Sequence, residues 1–594
     1  MDLLAALVLA VLVIVTITTV APRAGVAAPL LLVLVGAGVS FLPFVPEIEV
    51  PPEWILGIVL PPLLYSSATT VPTMDFRRDL RTISALSVVL VLVSAVAVGF
   101  TLSALVPDIG LATGIALGAV VSPTDAVATS IVRRAGVSPR VVTVLEGESM
   151  LNDASALVLL RSAIVAAAGT VSLLEVAGDF VFAVAVAVVV GYVVGRLHVW
   201  ARGHITLTTS NVAISFVVPF VAYLPAEHLG ASGLVAAVTA GLVTGHAAPR
   251  ALRARDRVTE VAVWRTLELL LEGAVFLVMG VQVFGLVEDV LDVHGSLWVA
   301  LGLGALTGAL VLTVRSAFVT WSVWELARRA DRTPPVRDWL TQAQEQLDGG
   351  ELPRPPAGPG RAQRRARRRA RRRARAADRQ GTAAAREGRV EAAGRRVQRK
   401  IADIDYLVAE RFGPREGVVL VWAGLRGAVT LAAAQSLPSG TPQRSLLVLV
   451  AFVVAAGTLL VQGATLPWVV RRLGTAGREE RDEAALVALR DDLRRAALRR
   501  LEDPDLTQPD GTPYPAPVVE RTRQRFAVMD AQVAADDGQR ELDRAAGQHL
   551  LIALLTAQRT ELLHVRDLGT YPSAVLTQAL AELDALQIGV ELRS

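Results

Sequence analysis

The chain has 594 residues, of which 53% are hydrophobic and 19% charged, with a mean hydropathy of +0.48 and a formal net charge of +4. That is too apolar for an ordinary soluble domain, and the absence of cysteine excludes disulfides and thiolate metal centres. A bilayer is crossed by about 20 apolar residues. Taken in order, runs of that kind fall at 2–20, 27–44, 54–71, 81–106, 109–133, 140–168, 173–200, 206–224, 229–248, 261–288, 295–326, 416–436 and 445–470. The pattern predicts an all-α polytopic membrane protein of about 13 transmembrane helices. Asp2 opens the first run and no basic stretch precedes it, so it reads as a span and not as a cleaved signal peptide.

Charge tests the count. Every second connection is basic: Arg23; Arg77, Arg78 and Arg81; Arg133, Arg134 and Arg140; Arg202; Arg250, Arg253, Arg255 and Arg257; then the long insert after residue 326. The connections between them are acidic or neutral, with Glu47, Glu49 and Glu53, then Asp108, Glu175, Glu227, and Glu288, Asp289 and Asp292; Arg444 is the exception. By the positive-inside rule this places the N-terminus outside and the C-terminal tail in the cytoplasm of a multi-pass cell-membrane protein.

The expected organisation is a first transmembrane part, 1–328, an Arg-rich cytoplasmic insert, 329–413, the last two spans, 414–474, and a cytoplasmic helical tail, 475–594. The insert joins "ELPRPPAGPG" to "RAQRRARRRARRRARAADR", a low-complexity run poorly suited to building a core. It reads as a solvated loop with an attraction to anionic inner-leaflet lipid. No aromatic residues interleave with the arginines, which argues against nucleic acid. The tail sets helical stretches around "TQPDGTPYPAP" and shows no legible chemistry.

Polar residues inside spans are costly and usually face a bundle interior with a partner. The fifth span holds "SPTDAVA" with Thr124 and Asp125 after Pro123. The sixth holds "LEGESMLNDASALVL" with Glu148, Ser149, Asn152 and Asp153. Arg315 lies in the eleventh and Arg426 in "GLRGAVTLAAA" of the twelfth. Ser149 and Asp153 share one helix face, with Glu148 and Asn152 on the next. Pro123 removes a backbone donor, so the fifth span is expected to break near Asp125, and Gly424 and Gly427 loosen the twelfth. Two interrupted spans in corresponding halves point to an ion site in an inverted-repeat transporter. A hard monovalent cation takes oxygen ligands, and a carboxylate held away from water binds either a proton or such a cation in competition.

With "LPPLLYSSA" at 60–68, "LLEGAVFLVMGVQV" at 270–283 and "LVQGATLPWVVRRLG" at 460–474, these stretches resemble the monovalent cation:proton antiporter superfamily, in its sodium/proton exchanger branch of bacterial type. The resemblance covers 1–474. It implies a homodimer with two broken, crossing helices, and a core that moves like an elevator against a dimerisation domain. The activity it implies is exchange of Na+ (or Li+) for H+ by alternating access, serving pH and sodium homeostasis; K+/H+ exchange is the alternative. It implies no enzymatic reaction and no cofactor beyond the transported ions. Carried over residue by residue, Asp153 binds the cation and carries the proton, with Asn152 as organiser. Asp125 and Thr124 are the broken-helix acid and hydroxyl, and Na+ lies at Asp153, Ser149 and Thr124. Glu148 and Arg426 resemble a structural ion pair, and Arg315 resembles the partner of Asp125. The family often has Phe-Glu where Tyr65-Ser66 stand here, which removes one acid.

Electrogenic relatives resemble a variant with an acid in place of Asn152 and a core lysine. The lone lysine here is Lys400, in the insert. With Asp125 held by Arg315, Asp153 alone would alternate, and exchange would be electroneutral. An intramembrane aspartyl protease fits poorly, because neither "SPTD" nor "MLND" matches Gly-x-Gly-Asp. A channel would show a repeated filter loop or charge ring, and none is visible.

Overall fold

The computed structural model describes residues 2–23, 26–43, 50–106, 108–168, 173–294, 296–330, 334–349, 383–409, 412–473, 479–527 and 541–592. They divide into two compact units, Met1–Ser322 with Pro414–Gly477, and Val323–Gly413 with Arg478–Ser594. The described residues are almost entirely helical; the β-pairing among them is an isolated bridge between Thr507 and Pro513. The protein is an all-α, multi-span membrane protein. Among the described residues, seven helices are long and apolar enough to cross a membrane, including Thr73–Leu105, Gly178–Arg202 and Arg444–Leu473, and Leu4–Val20, Ala28–Ser40 and Leu111–Val121 are shorter apolar helices.

In the first unit most apolar stretches become helices close to their expected places. Thr73–Leu105 begins eight residues before the stretch read from the sequence, because its charged first turns are paired. Arg140 grips Asp79 at 2.7 Å with both side chains buried, and Asp75 takes Arg78 at 3.2 Å. In "LPPLLYSSA", Pro61 and Pro62 withhold two backbone donors. The chain just before them runs as a π-helix, Ile55–Val59, into Leu60–Thr70. Helices approach closely where side chains vanish. A Cβ on Gly36 would meet the Leu277 carbonyl at 2.5 Å, so Ala28–Ser40 and Ala254–Val281 touch backbone to backbone.

Two helices are interrupted. Leu111–Val121 and Val127–Arg134 are separated by residues 122–126, which contain Pro123. Pro414–Trp422 and Ala428–Gln435 are separated by 423–427, which contain Gly424 and Gly427. The breaks meet: the Asp125 N–H donates to the Leu425 carbonyl at 2.8 Å.

The second unit has its own small core. Ala497, Leu501, Val518, Leu550 and Leu554 pack together from Glu479–Leu501, Ala516–Ala527 and Glu541–Leu568. The Pro-rich turn expected there closes on Gly511 at φ +83°, with Gln508 N–H donating to Thr512 O at 2.8 Å. Insert helices belong to this unit: Arg337 pairs with Asp405 at 2.6 Å, and Arg399 Nε–H donates to the Asp567 carbonyl at 3.0 Å. The Arg-dense run and its Pro/Gly linker lie outside the described residues.

Candidate functional site

Each broken helix leaves orphan carbonyls at the end of its first half and orphan N–H groups at the start of its second. Buried away from water, these need partners. The two intramembrane arginines supply them for the carbonyls. Arg426, 2% exposed, donates from Nε to the Val121 carbonyl at 3.0 Å, from Nη2 to Ser122 O at 3.5 Å, and from Nη1 to Gly424 O. Arg315, 1% exposed, donates from Nη2 and Nε to the Leu420 carbonyl at 2.7 and 3.0 Å. Each guanidinium therefore caps the negative end of a half-helix.

Asp125 lies at the opposite ends. Its Oδ1 accepts from the Val127 N–H at 3.0 Å, at the start of Val127–Arg134. Its Oδ2 lies so close to Gly427, the residue before Ala428–Gln435, that a Cβ there would fall 1.5 Å away. One carboxylate thus serves the positive ends of both second halves.

The sixth-span residues reach the break through a relay on Pro139–Ala168. Arg315 binds Glu148 bidentately, with Nη2 to Oε2 at 3.0 Å and Nη1 to Oε1. Thr124 Oγ1 donates to Glu148 Oε1 at 3.2 Å and accepts from Asn152 Nδ2 at 2.8 Å. Asn152 Oδ1 is buried and has no partner among the described residues. Ser149 bonds back to the Glu146 carbonyl at 3.2 Å, leaving its lone pairs uncommitted.

Two expected pairings are corrected. Glu148 takes Arg315 and not Arg426, and Arg315 is not the partner of Asp125. The cause is the helix breaks. Arg426 sits inside its break and is consumed by carbonyls of both breaks, Gly424 in its own and Val121 and Ser122 in the other, whereas Arg315 comes from Leu297–Ala330 and reaches Leu420 O and Glu148 together.

Asp153 is left over. It is 9% exposed, has no hydrogen bond or ion pair with the described residues, and opens on a narrow pocket. The rest of that pocket is apolar, with Val120, Pro123, Leu157, Leu160 and Val429 among its walls.

Two further acids escaped the sequence reading. On Ala254–Val281, Trp264 packs at a tilt against Tyr65 with ring centroids 5.5 Å apart, which fixes that face against Leu60–Thr70. Glu268 and Glu272 follow at intervals of four on the same face. Glu268 faces the Ser66 hydroxyl, and Glu272 is in electrostatic reach of Asp125. A carboxyl group from the facing helix thus stands beside Ser66. The signal was present in "LELLLEGAVF", two acids one turn apart within an apolar helix.

The model of the transmembrane sodium/hydrogen exchanger family matches residues 8–332 and 397–472. The chain belongs to the sodium/hydrogen exchanger family. It is 34% identical over 335 residues to the uncharacterized Na(+)/H(+) exchanger YjcE of Escherichia coli, a match spanning 53% of this chain and 60% of that protein. It is 30% identical over 462 residues to the uncharacterized Na(+)/H(+) exchanger Mb2309 of Mycobacterium bovis, spanning 76% and 71%. The fold resembles that of the sodium proton antiporter MjNhaP1 from Methanocaldococcus jannaschii, with a TM-score of 0.55 at 16% identity, over 80% of this chain and 99% of that one.

Proposed function

We propose that this exchanger moves Na+ (or Li+) against H+ through Asp153. The observation that carries the reading is an accounting of buried charge. Arg315 is consumed by Glu148 and Leu420 O, and Arg426 by three carbonyls, so neither neutralises Asp153. An ionised carboxylate at membrane depth is costly without a partner. Asp153 therefore takes an exchangeable one, a proton or a cation. Ser149, one turn before it on the same face, and the bare Asn152 carbonyl are oxygens in its helix that can complete a cation's shell. Thr124, committed to Glu148 and Asn152, is the organiser of that shell. Glu268 and Glu272 add carboxyl oxygens along the face toward Ser66 and Asp125, a ligand type that suits cations over anions.

The stoichiometry needs a new basis, because Arg315 does not hold Asp125. Asp125 is instead built into the crossover by its N–H to Leu425 and its Oδ1 to Val127. It remains in place as a fixed part of the frame while Asp153 alternates, which supports one-for-one exchange. The charge bias of the connections supports a cytoplasmic insert and tail, and the family supports a homodimer.

The test is dequenching of a pH-sensitive dye in proteoliposomes on addition of Na+, Li+ or K+. Na+-driven proton movement is expected. A response to K+ with none to Na+ would move the assignment to K+/H+ exchange, and a response to neither would overturn it. A rate that shifts with an imposed membrane potential would contradict one-for-one exchange, with Asp125 the second carrier.

A further inference from the structure

The Pro139–Ala168 helix has a second face beside the one that bears Asp153. Met150, Ala154, Leu157 and Arg161 recur at spacings of four, three and four, so they form one stripe. Met150 and Ala154 are buried, with Leu157 packed alongside, in a cluster that includes Ala187, Ala222, Ala226 and Leu234. Those residues come from Leu173–Arg202, Thr208–His228 and Gly233–Ala251. Small apolar side chains give dispersion contact but no directional bond that sets register.

The stripe ends on a charge. Arg161 Nη2 lies 2.9 Å from Glu227 Oε2, with the side chains 58% and 25% exposed. The other Glu227 oxygen accepts from the Gly233 N–H at 2.9 Å, at the first residue of Gly233–Ala251. Negative charge is favoured at a helix N-terminus, so this carboxylate is fixed to the corner between Thr208–His228 and Gly233–Ala251. Arg161 is fixed to the helix that bears the site.

Arg161 stands two turns beyond Asp153, about 12 Å along the axis. Between them Ala156, Leu157 and Leu160 line the pocket on which Asp153 opens, facing Val120, Val429 and Ala433. The route from Asp153 toward Arg161 is thus closed by apolar side chains, with the ion pair beyond them.

We propose that the Arg161–Glu227 pair is a latch that holds the apolar pocket shut on this side of Asp153 and breaks when the site opens there. The proposal rests on alternating access at Asp153. Exposing the carboxylate through this pocket parts Pro139–Ala168 from Val120, Val429 and Ala433, which carries the Met150–Arg161 stripe along its apolar wall on the other face. A shift of a few ångströms costs the wall little directional bonding and separates the ion pair. An exposed pair of this kind is worth about a two- to fivefold bias toward the closed state. The open state gains that factor when either partner loses its charge.

The chain has no cysteine, so Leu160→Cys is a sole thiol that reports opening. Full-length protein in proteoliposomes is treated with a membrane-impermeant maleimide from the Arg161 side. Labelling is expected to accelerate about two- to fivefold in Arg161→Gln and in Glu227→Gln. It is expected to return toward the parent rate when the charges are exchanged, Arg161→Glu with Glu227→Arg. Equal labelling in all backgrounds would overturn the latch, as would an exchanged pair that labels as fast as the single variants. Ala433→Cys, on the facing helix, is the second reporter if Leu160→Cys does not fold. Labelling does not require Na+-driven proton movement, so failure of the antiport assay and failure of the latch are read separately.

Discussion

Glu148 and Asp153 lie on the same helix little more than a turn apart, and both are withdrawn from solvent, at 1% and 9% exposure. Glu148 is saturated: Arg315 grips it and Thr124 donates to it. Asp153 receives nothing from the described residues and looks onto an apolar pocket. Sequence, depth and chemistry are nearly the same for the two acids; the difference is what surrounds them. A buried acid whose charge is fully matched belongs to the frame, and one whose match is missing is where a mobile ion belongs.

The largest effect expected from this contrast is at Asp153. Asp153→Asn keeps the shape but cannot hold a charge, and Na+-driven proton movement in proteoliposomes is expected to fall to the protein-free background. The melting temperature in detergent should be unchanged or higher, because no partner is left unpaired. Wild-type exchange by this variant would erase the distinction between the two acids.

Glu148 should behave in the opposite way. Removing either partner alone, by Glu148→Ala or Arg315→Ala, leaves a buried charge unmatched and is expected to cost about 3–5 kcal/mol of stability. Thermal unfolding in detergent measures it. Glu148→Gln with Arg315→Gln together should recover part of the loss, and singles as stable as the wild type would remove the pair from the frame.

The crossover itself can be strained without touching a charge. Gly427→Ala places a methyl where Asp125 Oδ2 now lies. Overpacking of that kind costs about 1–3 kcal/mol, so a drop in exchange of about fivefold or more is expected, measured alongside the amount of inserted protein. An unaffected variant would show that Asp125 does not need its present place.

The smallest effect belongs to the second unit. Tyr571 donates its hydroxyl to Asp492, and partial burial and that neighbouring carboxylate push its pKa up to about 12. Tyr571→Phe is expected to cost about 0.5–1.5 kcal/mol in that unit and to leave exchange unchanged. The raised pKa adds stability that is present below the ordinary tyrosine value near 10 and is lost as pH rises toward 12. Chemical denaturation at pH 8 and pH 11 should therefore show a decline that the Phe variant lacks.

The breaks were legible because Pro123, Gly424 and Gly427 act locally, on the backbone beside them. So was the candidate status of Asp153, since a carboxylate in an apolar run stands out at any fold. Pairing was not legible. Arg315 and Glu148 are 167 residues apart, and the sequence gives the signs of two acids and two bases but not who faces whom. The arginines proved to be chosen by orphan carbonyls as much as by acids, which depends on where each half-helix ends. Glu268 and Glu272 were legible in spacing, but their closeness to Ser66 and Asp125 depends on which face Trp264 turns toward Tyr65. The insert and the tail, read as separate pieces, share a unit through contacts such as Arg399 to Asp567.

The central claim is that one carboxylate, Asp153, is shared in turn by H+ and Na+. Calorimetric titration of Na+ into the purified protein, repeated in buffers of different ionisation enthalpy, counts the protons released on binding. Proton release is expected in the wild type and in Asp125→Asn, and none in Asp153→Asn. Undiminished proton release from Asp153→Asn would contradict that claim.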